Sequence, residues 1–361
     1  MRYLTTLFAF VAAAMALPAF AQDQGENPKW SIAIHGGAGT MDKDTMTPEQ
    51  QAEYRAALQN ALDAGAEVLR NGGTAMDAVK AAIMPMEDDP KFNAGRGSVF
   101  TWEGANEMDA SIMDGATREA GAVTGVRTIR NPILLADAVM QDGRHVFLSG
   151  LGAEEFADGV GLERAGPEWF ATEHRKEALE RMKARQLSAA DVDAKFGTVG
   201  AVVLDTHGNM AAGTSTGGMT GKRWGRIGDS PIIGAGNYAD NRSCAVSATG
   251  SGEYFIRVGV AQEICTRLRM VRRHALFESG GNPEHVKWLQ GENYEQVIAD
   301  AVMAEVKELG GSGGIILVTP EGRAIFSFNT QGMYRGRASS EGVNEVAIFG
   351  EAGATASPEE K

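Results

Sequence analysis

Apolar residues alternate at strand spacing through "WSIAIHGGAG", a run that ends in a glycine turn. They then recur at helical spacing through "TPEQQAEYRAALQNALDAGAEVLRNGG", which stops on paired glycines, and "TAMDAVKAAIMPMED" opens a second helix from a threonine cap. Strand-like runs follow in "GSVFT", "MDASIMDG" and "AGAVTGV". From Pro132 to about Ala194 the pattern is helical, ending in the charged "ATEHRKEALERMKARQLSAADVDAK", expected to be a solvated helix and linker. At Thr198 the character changes. "TVGAVVLD" and "NMAAGTST" flank a "THG" turn and predict a hairpin, and "RSCAVSATG" predicts another strand. Two long helices are expected next, from Glu253 to about Val271 and from Tyr294 to Leu309, before "GIILVTP" and "RAIFSFNT" close a second hairpin around Glu321 and Gly322. Strands fall in two groups with paired helices after each. That favours two stacked sheets with helices on both outer faces over an alternating parallel wheel. The tail after Gly350 is expected to be loose.

The first residues alter the picture at one end. Arg2, an apolar run from Leu4 to Leu17 and the small pair Ala19 and Ala21 have the form of a signal peptide with an A-x-A cleavage site. Residues 1–21 are therefore expected to be removed from an exported, periplasmic chain starting near Gln22. No later stretch has eighteen consecutive apolar residues, which argues against a membrane-bound protein. A formal net charge of −13 argues against nucleic acid as a partner. Cys244 and Cys265 are the two cysteines, one in a strand-like run and the other late in the next helical run; the reading favours leaving them unpaired and keeps a disulfide open.

Glycine is the compositional outlier, with 46 residues clustered at the ends of β-branched or apolar runs. There backbone must turn sharply or approach a ligand closely, which implies a site built largely from main chain. Two glycine motifs fail as chemistry. "GGSGG" matches a nucleophile elbow at Ser312, but a helix is expected before it and a strand after it, and no histidine follows His285. "GGMTGKR" is one residue short of a phosphate loop, with Arg223 where a hydroxyl should bind magnesium. The six histidines show no metal-ligand spacing.

Thr198 remains. A threonine opening a strand is by itself unremarkable, and its hydroxyl is a poor nucleophile without an adjacent base. If the chain is cut immediately before it, its own α-amine, with a pKa of roughly 7.7 to 8.0, supplies that base. Gly197 suits such a cut, because glycine leaves room for attack on its carbonyl.

In order along the chain, "HGGAG", "FNAGRGSVFT", "MDASIMDG", "GAVTGV", "GTVGAVVLD", "TSTGGMTGK", "GRIGDSPIIGAG", "AVSATGSGE", "GGSGG" and "FNTQGMYR" resemble the plant-type asparaginase and isoaspartyl peptidase family of N-terminal nucleophile hydrolases. The resemblance implies an α+β fold, a four-layer αββα sandwich built by two chains, an α subunit of residues 22–197 and a β subunit of residues 198–361. It implies hydrolysis of the β-aspartyl amide bond of isoaspartyl dipeptides and of L-asparagine. Thr198 matches the nucleophile released by self-cleavage after Gly197. Thr216 matches the threonine that supports it, and Asn93 an asparagine bonded near it. Thr249 and Gly250 match the oxyanion hole, and Arg226 and Asp229 the pair that grips the free α-carboxylate and α-ammonium groups. Gly250 and Gly252 match positions lining the aspartyl pocket. "MEDDPKFNAG" matches a loop holding structural sodium through main-chain carbonyls, here assigned to Met86, Glu87, Asp89, Phe92 and Ala94; no other cofactor is implied. A dimer of αβ heterodimers is implied too. The segment from Cys265 to Tyr294 is longer than compact members have. Glycosylasparaginase activity with the same machinery is one alternative, and a periplasmic solute-binding protein, with no use for self-cleavage, is an alternative of another class.

Overall fold

The computed structural model describes residues 29–39, 41, 43–44, 46–185, 197–278 and 293–350. The expected signal peptide, residues 186–196 of the expected linker, residues 279–292 of the long segment and the tail lie outside them. The strands are β1 (Ser31–Gly39), β2 (Met108–Asp114), β3 (Ala120–Val126), β4 (Phe147–Ser149), β5 (Val199–Leu204), β6 (Met210–Thr216), β7 (Asn237–Asp240), β8 (Cys244–Gly250), β9 (Gly313–Val318), β10 (Ala324–Phe328), β11 (Gly332–Ser339) and β12 (Asn344–Phe349). The helices are α1 (Pro48–Arg70), α2 (Ala75–Asp88), α3 (Pro132–Asp142), α4 (Gly150–Gly159), α5 (Pro167–Phe170), α6 (Glu173–Ala184), α7 (Gly252–Val258), α8 (Val260–Glu278) and α9 (Tyr294–Glu308). Thr47 and Thr74 cap α1 and α2, each accepting a main-chain N–H from the first turn.

An eight-stranded sheet runs β12-β11-β1-β5-β6-β2-β3-β4, and a four-stranded sheet runs β10-β9-β8-β7. All pairs are antiparallel except β3 with β4. Alternation along the strands divides the core. Ile32, Ile34, Ala110, Ile112, Val199, Ala201 and Val203 pack with α1, α2 and α3 on one face of the large sheet. Ala33, Val202, Leu204, Met210 and Ala212 face the other way, into a second cluster with the strands of the small sheet and with α8 and α9. Close approach needs small residues: a Cβ on Gly213 of β6 would lie 2.5 Å from Val79 and 2.9 Å from Ile83 of α2. Among the described residues no helix is long and apolar enough to cross a membrane.

Several expectations change. "GSVFT" is not a strand; its main chain is satisfied elsewhere, with Asn93 Oδ1 accepting from Val99 N–H at 2.9 Å and Thr101 N–H bonding Ala105 at 2.7 Å. The helix expected from Glu253 is broken at Gly259, a left-handed residue at φ 68° that ends α7 before α8 begins. The short β4 interrupts the helical region after Pro132. Cys244 and Cys265 form a disulfide with Cα atoms 5.4 Å apart, joining β8 to α8. Sequence spacing alone does not show that α8 lies across β8.

Candidate active site

Thr198 stands one residue before β5, and its Oγ1 is 3.0 Å from Oγ1 of Thr216, the last residue of β6. Both lie on the face of the large sheet that looks toward the small one, because Val199 and Ser215, their neighbours, pair in register and point the other way. Gly218 N–H donates to Thr216 Oγ1 at 3.0 Å. One lone pair of Thr216 is thereby occupied, and its hydroxyl proton is available to Thr198.

Asn93, in the turn after α2, braces this corner. Its side chain donates to Gly218 O at 2.7 Å, and its main-chain N–H donates to the carbonyl of Gly197 at 3.0 Å. Thus it meets the threonine pair through backbone and through the 216–218 turn rather than by a direct side-chain bond to Thr198. A Cβ on Gly197 would lie 2.6 Å from Asn93 Cβ, so the residue before Thr198 has no room for a side chain.

From the opposite sheet, β8 brings Thr249 and Gly250. Thr249 is fully buried, and its hydroxyl has no hydrogen-bond partner in the protein. An unsatisfied buried hydroxyl is costly, and a donor kept free in this way suits a charge that develops only during reaction. Gly250 adopts φ 153°, where a Cβ would meet the main chain of Ser312 and Gly313.

Arg226 and Asp229 lie in the segment between β6 and β7. Arg226 is held in a two-pronged ion pair with Glu253, at 2.8 and 3.0 Å, a partner the sequence reading did not identify. Asp229 is buried with Oδ2 unpartnered. Burial pushes its carboxyl up to about 7, with the Arg226 charge pulling against it. A Cβ on Gly252 would lie 2.9 Å from Asp229 Oδ1, so only a residue without a side chain packs this closely against the carboxylate.

Three further groups escaped the sequence reading. His35 of β1 is buried between Thr198 and Ser247, with Nδ1 2.9 Å from the Thr198 carbonyl and Nε2 2.9 Å from Ser247 Oγ. Burial lowers its pKa to about 3, so the ring is neutral. The other two are Asp109, which pairs in register with Thr216, and Lys222, whose Nζ is 3.8 Å from Asp109 and donates to Glu107 O at 2.9 Å. Asp109, Lys222 and Arg226 line a cavity of about 640 Å³. Only the glycine pair after it in "HGG" could have flagged His35, and it marks a bulge: the β1–β11 register slips between His35 and Gly37.

Met86, Glu87, Asp89, Phe92 and Ala94, the residues assigned to sodium, occupy the end of α2 and the turn after it. The turn is drawn in on its own carbonyls: a Cβ on Gly97 would lie 2.5 Å from Phe92 O and 2.7 Å from Pro90 O. Glu87 O accepts Arg96 N–H at 2.6 Å, and Asp89 O accepts Phe92 N–H at 3.2 Å, so two of the five carbonyls already carry one bond and keep one lone pair. Main-chain carbonyl oxygens are the donor type that a hard monovalent cation takes. Among the described residues no group of three or more His, Cys, Asp or Glu side chains is placed to hold a metal. Ser312, the rejected elbow, accepts Ser251 N–H through its carbonyl at 2.8 Å beneath the small sheet.

The sequence profile of the family described as Asparaginase matches residues 28–275. The isoaspartyl peptidase of Escherichia coli K12 is 44% identical over 333 residues, covering 90% of this chain and 97% of that protein. The human isoaspartyl peptidase/L-asparaginase is 42% identical over 305 residues, covering 84% and 91%. A probable isoaspartyl peptidase/L-asparaginase 2 of Arabidopsis thaliana is 38% identical over 345 residues, covering 89% and 99%.

Proposed function

Because the chain belongs to the asparaginase family, we propose that it hydrolyses the β-aspartyl amide bond of isoaspartyl dipeptides and of L-asparagine, with Thr198 as nucleophile. The observation that carries this reading is the Thr198–Thr216 hydroxyl pair at 3.0 Å, next to a Gly197 carbonyl already held by Asn93 N–H. In the precursor, Thr198 Oγ1 attacks the Gly197 carbonyl carbon; the peptide becomes an ester and its nitrogen the free α-amine of Thr198. The Asn93 N–H is the donor for the oxygen that gains charge in that step. Water then hydrolyses the ester, leaving Gly197 as a carboxylate and separating residues 22–197 from residues 198–361. In this reading the two chains stay together as a four-layer αββα sandwich of the N-terminal nucleophile type.

Turnover repeats the attack on substrate. The α-amine takes the Thr198 hydroxyl proton as Oγ1 bonds to the side-chain carbonyl carbon, and Thr249 hydroxyl and Gly250 N–H stabilise the oxyanion. The ammonium returns the proton to the departing amine or ammonia, an aspartyl ester remains, and water releases aspartate. Arg226 exchanges Glu253 for the substrate α-carboxylate, and Asp229 accepts its α-ammonium group. The carbonyls around Glu87 and Phe92 would hold sodium in a structural role. Export to the periplasm and assembly as a dimer of heterodimers complete the proposal. The test is kinetic: purified protein should release aspartate from an isoaspartyl dipeptide and from L-asparagine, and failure on both at millimolar substrate would refute the assignment.

A further inference from the structure

Thr198 precedes the first ladder pair of β5, so the sheet holds Val199 and Gly200 but not the nucleophile itself. Once the bond before it is cut, two side-chain contacts remain. One is the hydroxyl bond to Thr216, and the other is the 2.9 Å contact between the Thr198 carbonyl and His35 Nδ1. The first fixes the nucleophilic oxygen. The second fixes the main chain from which both hydroxyl and α-amine project.

The proton inventory around His35 has one consistent solution. A carbonyl only accepts, so Nδ1 carries the hydrogen. A neutral ring then presents a lone pair at Nε2, and Ser247 Oγ, 2.9 Å away, must donate to it. Ser247 has a single hydroxyl proton, so toward Thr214 Oγ1, 2.6 Å away, its oxygen accepts, and the one proton of Thr214 is shared between Ser247 Oγ and the Gly236 carbonyl. The Gly236 carbonyl, 3.0 Å from Thr214 Oγ1, is independently satisfied by Ala248 N–H at 2.9 Å. Reversing either His35 bond leaves two lone pairs facing each other inside the protein. Space is restricted to match: a Cβ on Gly200 would collide with both Ser247 Oγ and His35 Nε2.

We propose that His35 is a positioning residue for the nucleophile: its Nδ1–H holds the Thr198 carbonyl, while the Ser247 hydroxyl at Nε2 locks the ring in that tautomer. This rests on Thr198 being the nucleophile. His35 is a fixed donor across the working range, not a base, and with the Ser247 hydroxyl of β8 it sets the attack geometry from behind the reacting atoms. A displacement of about 1 Å in a nucleophile is enough to cost about 10²-fold in rate.

Two measurements test it together. In the processed enzyme, His35→Leu should lower kcat on isoaspartyl-leucine by about 10²-fold with KM changed less than about threefold, and His35→Asn, whose amide N–H replaces Nδ1–H, should recover to within about tenfold of wild type. Imidazole ¹⁵N NMR of the processed wild-type enzyme, assigned by comparison with His35→Asn, should show His35 as the Nδ1–H tautomer without titration from about pH 5 to about pH 9. A folded His35→Leu enzyme with kcat within about twofold of wild type, an asparagine variant no better than leucine, or a titrating or Nε2–H ring would each overturn the proposal. If His35→Leu does not fold or is not cut, the wild-type resonance decides. A wild-type enzyme inert on both substrates counts against the parent reading instead, while the resonance still reports the His35 contact.

Discussion

Asp229 is the residue whose ionisation should be visible in binding. Burial raises its carboxyl to about 7, so it is ionised above that pH and protonated below it. Only the ionised form attracts an α-ammonium group. Aspartate, whose own charges change little from about pH 8 to about pH 5, should therefore inhibit about tenfold more weakly for each unit below pH 7; a flat inhibition profile would show that Asp229 does not control binding. At the oxyanion position, Thr249→Val keeps the volume and removes the donor. It should reduce kcat about 10²- to 10³-fold with a much smaller effect on KM, in steady-state kinetics of the processed enzyme. Thr198 stood out in the sequence by its place after Gly197 at the head of a strand, whereas Thr216, Thr249 and Arg226 were placed only through the resemblance of their motifs to the family's. His35 was not: its partners lie 163 and 212 residues away in sequence, so nothing local distinguishes it from any buried histidine.

The strand β8 carries Ser247, Thr249 and Gly250, and the Cys244–Cys265 disulfide ties its start to α8. Closing a loop of 21 residues removes conformational freedom from the unfolded chain worth about 3 kcal/mol in the chain-entropy account. Cys244→Ala with Cys265→Ala should accordingly lower Tm, and reductant should shift the wild-type melt in the same direction; superimposable melts would mean the bond contributes nothing to stability. Elements with strong local periodicity, α1, α2 and the β5–β6 hairpin, were readable from sequence. The strands β7, β11 and β12 were not, because their identity comes from pairing. β11 mixes buried and half-exposed positions, with Arg335 and Arg337 on the strand, and it becomes a strand by lying between β1 and β12. Gly259 was also hidden, since a single left-handed residue inside an apolar helical pattern leaves the periodicity nearly intact.

At the scale of the whole molecule, the site needs both sheets. Thr198, Thr216 and His35 come from the large sheet, Ser247, Thr249 and Gly250 from the small one, and Asn93 from the turn that follows α2. The proposed cut between residues 197 and 198 would leave Asn93 and His35 on one product and Thr198 on the other. The halves must then stay packed through β1–β5 and β2–β6 pairing, which crosses the cut within one sheet. The proposed self-cleavage is therefore compatible with an intact site, and it would convert Thr198 into a residue carrying its own base. Intact-mass analysis with N-terminal sequencing, on wild type and Thr198→Ala in parallel, tests this most directly. Wild type should give two chains, the second beginning at Thr198, together with activity, and Thr198→Ala should give one uncut, inactive chain. An active wild-type protein that remains a single chain, or a Thr198→Ala protein that is still cut and active, would contradict the account.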